Sequence, residues 1–303
     1  MALDLTPVRR SAGGVAFRAR LHNLSDARNT ATVKLSEPGG APVTPSSLDA
    51  AIDEPFHCEN RSVVVSPKGA DVEPLELAAA TSDASGEHTE TYRFVLGSCH
   101  KAESLEHLRG RATELAPLIL DRDDQVVMGD DLSPRPFVLH AWPGYTEDHF
   151  LLYAEVRRQD GEEGPREGGN LDWSADVVLD LRNRNDEMAP GFHEAVFMLR
   201  VGRRAGRSPE STVLRGSLAN DQVRIDIDAG HGLGCKVLQI QIPWEPLAEL
   251  EDMPDRGFEQ GDAFGFDIAV GCTDHMDRQI YRIVWSGNPR LQADARTGTL
   301  FFT

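Results

Sequence analysis

The chain has 303 residues, enough for two domains or one large one. Hydrophobic residues make up 40%, which supports a real core and argues against global disorder. The net charge of −18, from 49 acidic and 31 basic residues, opposes a nucleic-acid role and any general affinity for anionic membranes or polymers.

No run of 18 apolar residues occurs, so no membrane insertion is expected. The start, MALDLTPVRRSAGG, lacks the charged-then-apolar layout of a signal peptide. The chain reads as cytoplasmic, or as a mature or truncated piece of a secreted protein.

Val15 to Leu21 alternates cleanly, with Val15, Phe17, Ala19 and Leu21 on one side. Thr32 to Ser36, Phe56 to Val65, Val72 to Leu77 and Tyr92 to Leu96 continue the series, with turn signals between them. Short strands so punctuated predict an all-β sandwich over residues 1–100. The pattern resembles an immunoglobulin-like or fibronectin-like module. Cys58 and Cys99 lie at strand positions in this segment, and either a bridge or two free thiols suits them. Asn23-Leu-Ser25 and Asn60-Arg-Ser62 fit the glycosylation sequon.

His100 to Leu120 spaces Leu105, Leu108 and Leu115 for a short helix, interrupted by Gly110 and ended by Pro117. The reading is a helical connector over 101–117; the other reading is a helix of the second sandwich. Asp121, Asp123 and Asp124 follow. Carboxylates so placed could hold calcium, but the spacing is not that of an EF-hand, and a solvated acidic loop is the favoured reading.

Residues 118–303 continue in strands. Phe137 to Trp142 leads to a turn signal at Pro143-Gly144, then a strand from Phe150 to Val156. Trp173 and Asp176 precede the strand Val177 to Leu181. Phe192 to Val201 and Val223 to Ile227 are further strands. Then Leu238, Ile240 and Ile242; Phe266, Ile268 and Val270; and Tyr281, Ile283 and Trp285 mark three half-buried strands of period two. If the first two of these form an antiparallel pair with Pro243 opposite Phe264, Cys235 falls opposite Cys272, within disulfide reach. The fold expectation is all-β: two antiparallel β-sandwiches, the second jelly-roll-like.

The order of motifs over 118–303 resembles the family 9 carbohydrate-binding modules. The matching pieces are Ala141-Trp142 with the strand Phe150 to Val156, Trp173 with Asp176, Ile242-Pro-Trp244, Gly265-Phe-Asp267, Val284-Trp285 and Thr299-Leu300. The resemblance implies a non-catalytic module that binds polysaccharide or oligosaccharide by aromatic stacking. It makes Trp173 one of two stacking platforms. The second platform would lie in the last loop, SGNPRLQADARTG, which has no aromatic. Met198 stands where sugar-binding members carry arginine, and Ala269 and Gly271 stand where they carry amides. Trp173, Trp142, Tyr145 and Met198 are the candidate ligand-binding set. The ring of Trp173 suits stacking and burial alike.

No nucleophile motif, HExxH, P-loop or dinucleotide fingerprint is present, so no catalytic residue is assigned. Two alternatives remain open. One is a scaffold with a diverged, non-sugar site. The other is a haem-binding sandwich using Met198, His193 or Met276, since some relatives of the sandwich carry haem. The leading expectation is an extracellular or periplasmic accessory module, associated with a catalytic domain of a larger secreted system.

Overall fold

In the computed structural model, residues 1–66, 74–129, 137–158, 172–181, 196–203, 210–215, 219–229, 235–245, 259–273, 279–288 and 297–303 are described. The chain divides into two compact units. Among the described residues, the first comprises Met1–Leu96 with Glu259–Ala263, and the second the remainder from Gly97 onward.

The first unit contains β1 (Ala2–Ser11), β2 (Gly14–His22), β3 (Asn29–Ser36), β4 (Val43–Thr44), β5 (Ser47–Ile52), β6 (Cys58–Val65), β7 (Leu75–Asp83) and β8 (Gly86–Phe94). They form two four-stranded antiparallel sheets, β1-β2-β6-β4 and β5-β3-β7-β8. The alternation seen in the sequence sets the inner face. Val15, Phe17, Ala19 and Leu21 are fully buried on β2. Phe17 meets Phe94 of the facing sheet with ring centroids 4.8 Å apart, so the two sheets close as a sandwich.

The second unit begins with β9 (Leu96–Lys101) and helix α1 (Leu105–Gly110). Ser104 caps the helix, its Oγ accepting from the His107 N–H. The helix is one short element within the longer stretch expected, and it is not set apart from the second unit. Leu105 and Leu108 pack with Trp142, Leu151, Tyr153 and Val237 on that unit's sheet. The segment 101–117, read from sequence as a connector, therefore lends its apolar face to the second core.

Then come β10 (Leu118–Leu120), β11 (Val126–Met128), β12 (Phe137–Tyr145), β13 (His149–Arg158), β14 (Asp172–Asp180), β15 (Val196–Arg203), β16 (Glu210–Arg215), β17 (Arg224–Ala229), β18 (Cys235–Pro243), β19 (Ala263–Thr273), β20 (Gln279–Val284) and β21 (Gly298–Phe302). One path of strands runs β16-β15-β14-β19-β21-β9-β12-β13-β18-β17, with β20 beside β19. The β9–β12 pair is parallel; the other pairs with a stated register are antiparallel. The path doubles back on itself. Phe150 of β13 contacts Phe264 and Phe266 of β19 at 6.2 and 5.8 Å, so the β19 half faces the β13 half across an aromatic core. The expected all-β architecture of two sandwiches is present.

Two details differ from expectation. Pro143-Gly144 makes no turn: β12 runs on to Tyr145, with Pro143 opposite Leu152, and the turn falls at Thr146. And β18 does not pair with β19. It lies between β13 and β17, while β19 lies beside β14 and β20. Cys235 faces Arg157, and Cys272 faces Trp173 and Tyr281. None of the four cysteines is disulfide-bonded, so neither the Cys235–Cys272 nor the Cys58–Cys99 bridge forms. Successive strands are often neighbours but not always, and here the chain crosses between the two halves.

Trp285 is 4% exposed and fixes two glycines. A Cβ on Gly298 would lie 2.4 Å from Trp285 Cζ3, and one on Gly97 would lie 3.1 Å from Trp285 Cζ2. Gly298→Ala is expected to destabilise by about 1–3 kcal/mol through overpacking. Urea denaturation checks this, and an unchanged midpoint would show that the indole can yield.

Candidate saccharide-binding site

The β14 strand decides which residues can share a site. Ala175, Val177 and Leu179 are completely buried and point to the aromatic core, since Leu179 stands beside Phe266. Ser174, Asp176, Val178 and Asp180 therefore point to the other, outer face. Register extends that outer face in rows across the sheet. One row is Gly202, Ser174, Gly271 and Arg282. The next is Arg200, Asp176, Ala269 and Val284. A third brings Met198, Val178 and Asp267 together.

The second row is held by charge. Arg200 Nε and Nη2 donate to Asp176 Oδ1 and Oδ2 at 2.6 and 3.0 Å, a bidentate fork. Arg282 Nη2 lies 2.9 Å from Asp176 Oδ2, close enough for an ion pair but off the line of a hydrogen bond. Asp176 and Arg282 are buried, whereas the Arg200 side chain is 39% exposed. Asp176 thus fixes one edge of a guanidinium whose remaining surface is open. Pairing with Asp176 raises the Arg200 pKa, while burial lowers that of Arg282.

The first row is a floor of small residues. Gly202 and Gly271 flank Ser174. A Cβ on Gly271 would come 2.7 Å from Gln279 Nε2, so the Gln279 amide lies over that glycine. The outer face thus carries an amide after all, delivered from β20 rather than from β19. Trp173, half-buried, stands at the same end of β14, and as the residue before Ser174 it turns to the opposite, inner face.

Asp267 is a different kind of group. It is completely buried. Its Oδ1 accepts from the Ile268 and Ser286 N–H groups at 3.0 and 3.1 Å, and its Oδ2 has no hydrogen-bond partner among the described residues. Burial raises its pKa to about 7, against the smaller opposing effect of its hydrogen bonds and of Arg282. A general acid needs such a pKa, but also contact with substrate, and this carboxyl is enclosed.

The structure does not gather the four predicted ligand residues. Trp142 is 6% exposed beneath α1, and its Nε1 donates to the Leu115 carbonyl at 3.1 Å. Tyr145 lies on the opposite face of the same strand, edge-on to Phe302 at 4.8 Å. Met198 is buried among Val178, Val196, Ala269 and Val284. Of the set, only Met198 shares the outer face with Asp176 and Arg200, and Trp173 lies on the inner face at the strand end. Met198 is likewise enclosed by apolar side chains as a haem candidate, and His193 and Met276 lie outside the described residues. So does most of the last loop.

The calcium candidates do not converge. Asp123 and Asp124 enter a 3-10 turn, and Arg122 Nε donates to Asp124 Oδ1 at 3.2 Å. Among the described residues, no group of three or more acidic, histidine or cysteine side chains is arranged to hold a metal. Of the two sequons, Asn23 is closed: it is fully buried, its amide donates to the carbonyls of Ala27 and Glu54, and its Oδ1 accepts from Ser25. Asn60 is exposed.

No family model matches the chain, and no curated protein sequence matches it. Solved structures do. A family 9 carbohydrate-binding module from Caldicellulosiruptor kristjanssonii, in complex with cellotriose, aligns over 69% of this chain and 93% of its own, with TM-score 0.49 and 11% identity. A family 9 module from the same organism in complex with glucose aligns over 56% of this chain and 79% of its own, with TM-score 0.39 and 12% identity. No helix among the described residues is long and apolar enough to cross a membrane.

Proposed function

We propose that the protein is a non-catalytic saccharide-binding module that serves as an accessory to a catalytic domain in a larger extracellular or periplasmic system. One observation carries the reading. At one end of the outer sheet face, a floor of small residues, the Gln279 amide and a guanidinium fixed by a buried carboxylate stand together, and a half-buried indole stands at the same strand end on the opposite face. A sugar ring needs an apolar plane for its C–H face and oriented donors for its hydroxyls. Trp173 supplies the plane at the strand end, from the opposite face of β14. Arg200 and the Gln279 amide supply the donors, and Ser174 offers a hydroxyl between them.

The fork to Asp176 matters because it orders Arg200 before ligand arrives, so less conformational entropy is lost on binding. Trp173→Ala is expected to weaken oligosaccharide binding by at least tenfold in calorimetric titrations against xylan, cellulose and galactan fragments. Arg200→Ala should weaken it by a similar factor. Binding that survives both substitutions would remove this site, and a fully silent glycan panel would favour the scaffold reading.

A further inference from the structure

We propose that the first unit carries a second saccharide-stacking site, built on Phe56 and independent of the outer face of β14. Phe56 is 75% exposed and Leu24 is 64% exposed. Phe56 has φ 56°, the left-handed region that a bulky side chain avoids. The chain therefore accepts a backbone cost in order to display an apolar ring to water. Residues held in this way persist only where the surroundings over-determine them.

Those surroundings are built. The two loops, 23–28 and 53–57, are stapled by buried Asn23. Its backbone N–H donates to the His57 carbonyl at 2.9 Å, and its side-chain amide donates to Glu54 and Ala27 carbonyls at 3.1 and 2.8 Å. Arg28 pairs with Asp53 at 3.0 Å, a further link between the loops. Phe56 thus projects from a rigid mount.

Size and charge select the occupant. Phe56 and Leu24 together expose roughly 300 Å² at most, judged from the area of such side chains. A stable protein interface needs about 800 Å² per partner, whereas a single pyranose face needs only one ring. Asp26, Asp53 and Glu54 are exposed on the same two loops. They disfavour anionic membranes and offer acceptors to sugar hydroxyls. A neutral oligosaccharide fits both features.

The test uses the full chain. Phe56→Trp places a fluorophore at the site, and the same xylan, cellulose and galactan fragments are titrated. At least one should shift the emission of the introduced tryptophan to the blue, relative to the parent protein. Phe56→Ala should abolish that contact and weaken overall binding at least tenfold for ligands long enough to use it. Phe56→Gly should raise the melting temperature by relieving the backbone while losing the sugar response, a pairing that a purely structural role would not give. The response of the introduced tryptophan should persist in a Trp173→Ala background, so failure of the β14 site leaves this proposal standing, and the reverse. An emission unmoved by every fragment would overturn it. So would a Phe56→Ala variant that changes only self-association.

Discussion

Replacing Asp267 with asparagine is expected to stabilise the protein at pH 8 and to remove a pH dependence that the parent shows between about pH 4 and 7. The carboxyl is completely buried, one oxygen lacks a hydrogen-bond partner among the described residues, and its pKa stands at about 7 against 3.8 for the ordinary group. Between those values the folded protein holds a proton that the unfolded chain has released. Stability is therefore highest below the unfolded value, falls as pH rises through the window, and is level above about 7. A difference of this size corresponds to roughly 4 kcal/mol as an upper figure.

Asparagine keeps the acceptor for the Ile268 and Ser286 N–H groups but carries no charge at any pH. Its Nδ2 still needs a partner, which offsets part of the gain, so a net stabilisation of about 2 kcal/mol at pH 8 is expected. His100 and His140 act the other way. Burial lowers both pKa values, so they cost stability as pH falls below about 6.5. Both histidines are present in parent and variant, and the difference between the two urea-denaturation profiles isolates Asp267. Parallel profiles from pH 5 to 8 would show that the carboxyl is not held protonated.

The strands were legible because their alternation is local. Phe17 and Leu21, or Ile240 and Ile242, declare their buried face within a few residues. Which strand lies beside which is not local. The Cys235–Cys272 pairing rested on β18 meeting β19, and the chain instead carries β18 to β13. The same limit governed the site. Trp173 and Asp176 stand close in the chain, but their odd spacing puts them on opposite faces of β14. Arg200 reaches Asp176 only through the β14–β15 register, and Gln279 covers Gly271 only through the packing of β20 on β19. Reading position by position found Met198 where an arginine was expected, and Ala269 and Gly271 where amides were. One sheet row away stands an arginine, and one strand away an amide, on the same outer face. The even spacing from Met198 to Arg200, which keeps both on one face, was the available signal. Phe56 is hidden for a related reason: the sequence reads as a strand from Phe56 to Val65, whereas the strand starts at Cys58, and nothing local tells that the backbone at Phe56 turns the ring outward.

Asp176→Ala should be the most damaging single change at the outer face, costing about 3–5 kcal/mol. It leaves the buried Arg282 guanidinium, only 7% exposed, without its nearest anion. Arg200 suffers less, because its half-open side chain can turn to water. The remaining anion near Arg282 is Asp267, which should then ionise more readily, so the variant's pH dependence between 4 and 7 should shrink as well. The double variant Asp176→Ala with Arg282→Met removes both buried charges together and should recover most of the loss, since an apolar pair of similar volume needs no compensation. Recovery in urea titrations without recovery of saccharide binding would separate the two duties of Asp176. On the proposed function, its pairing with Arg282 serves the fold and its fork to Arg200 serves the ligand. If the double variant is no more stable than Asp176→Ala alone, the cost lies in lost packing around Asp176, and the charge account of this face fails.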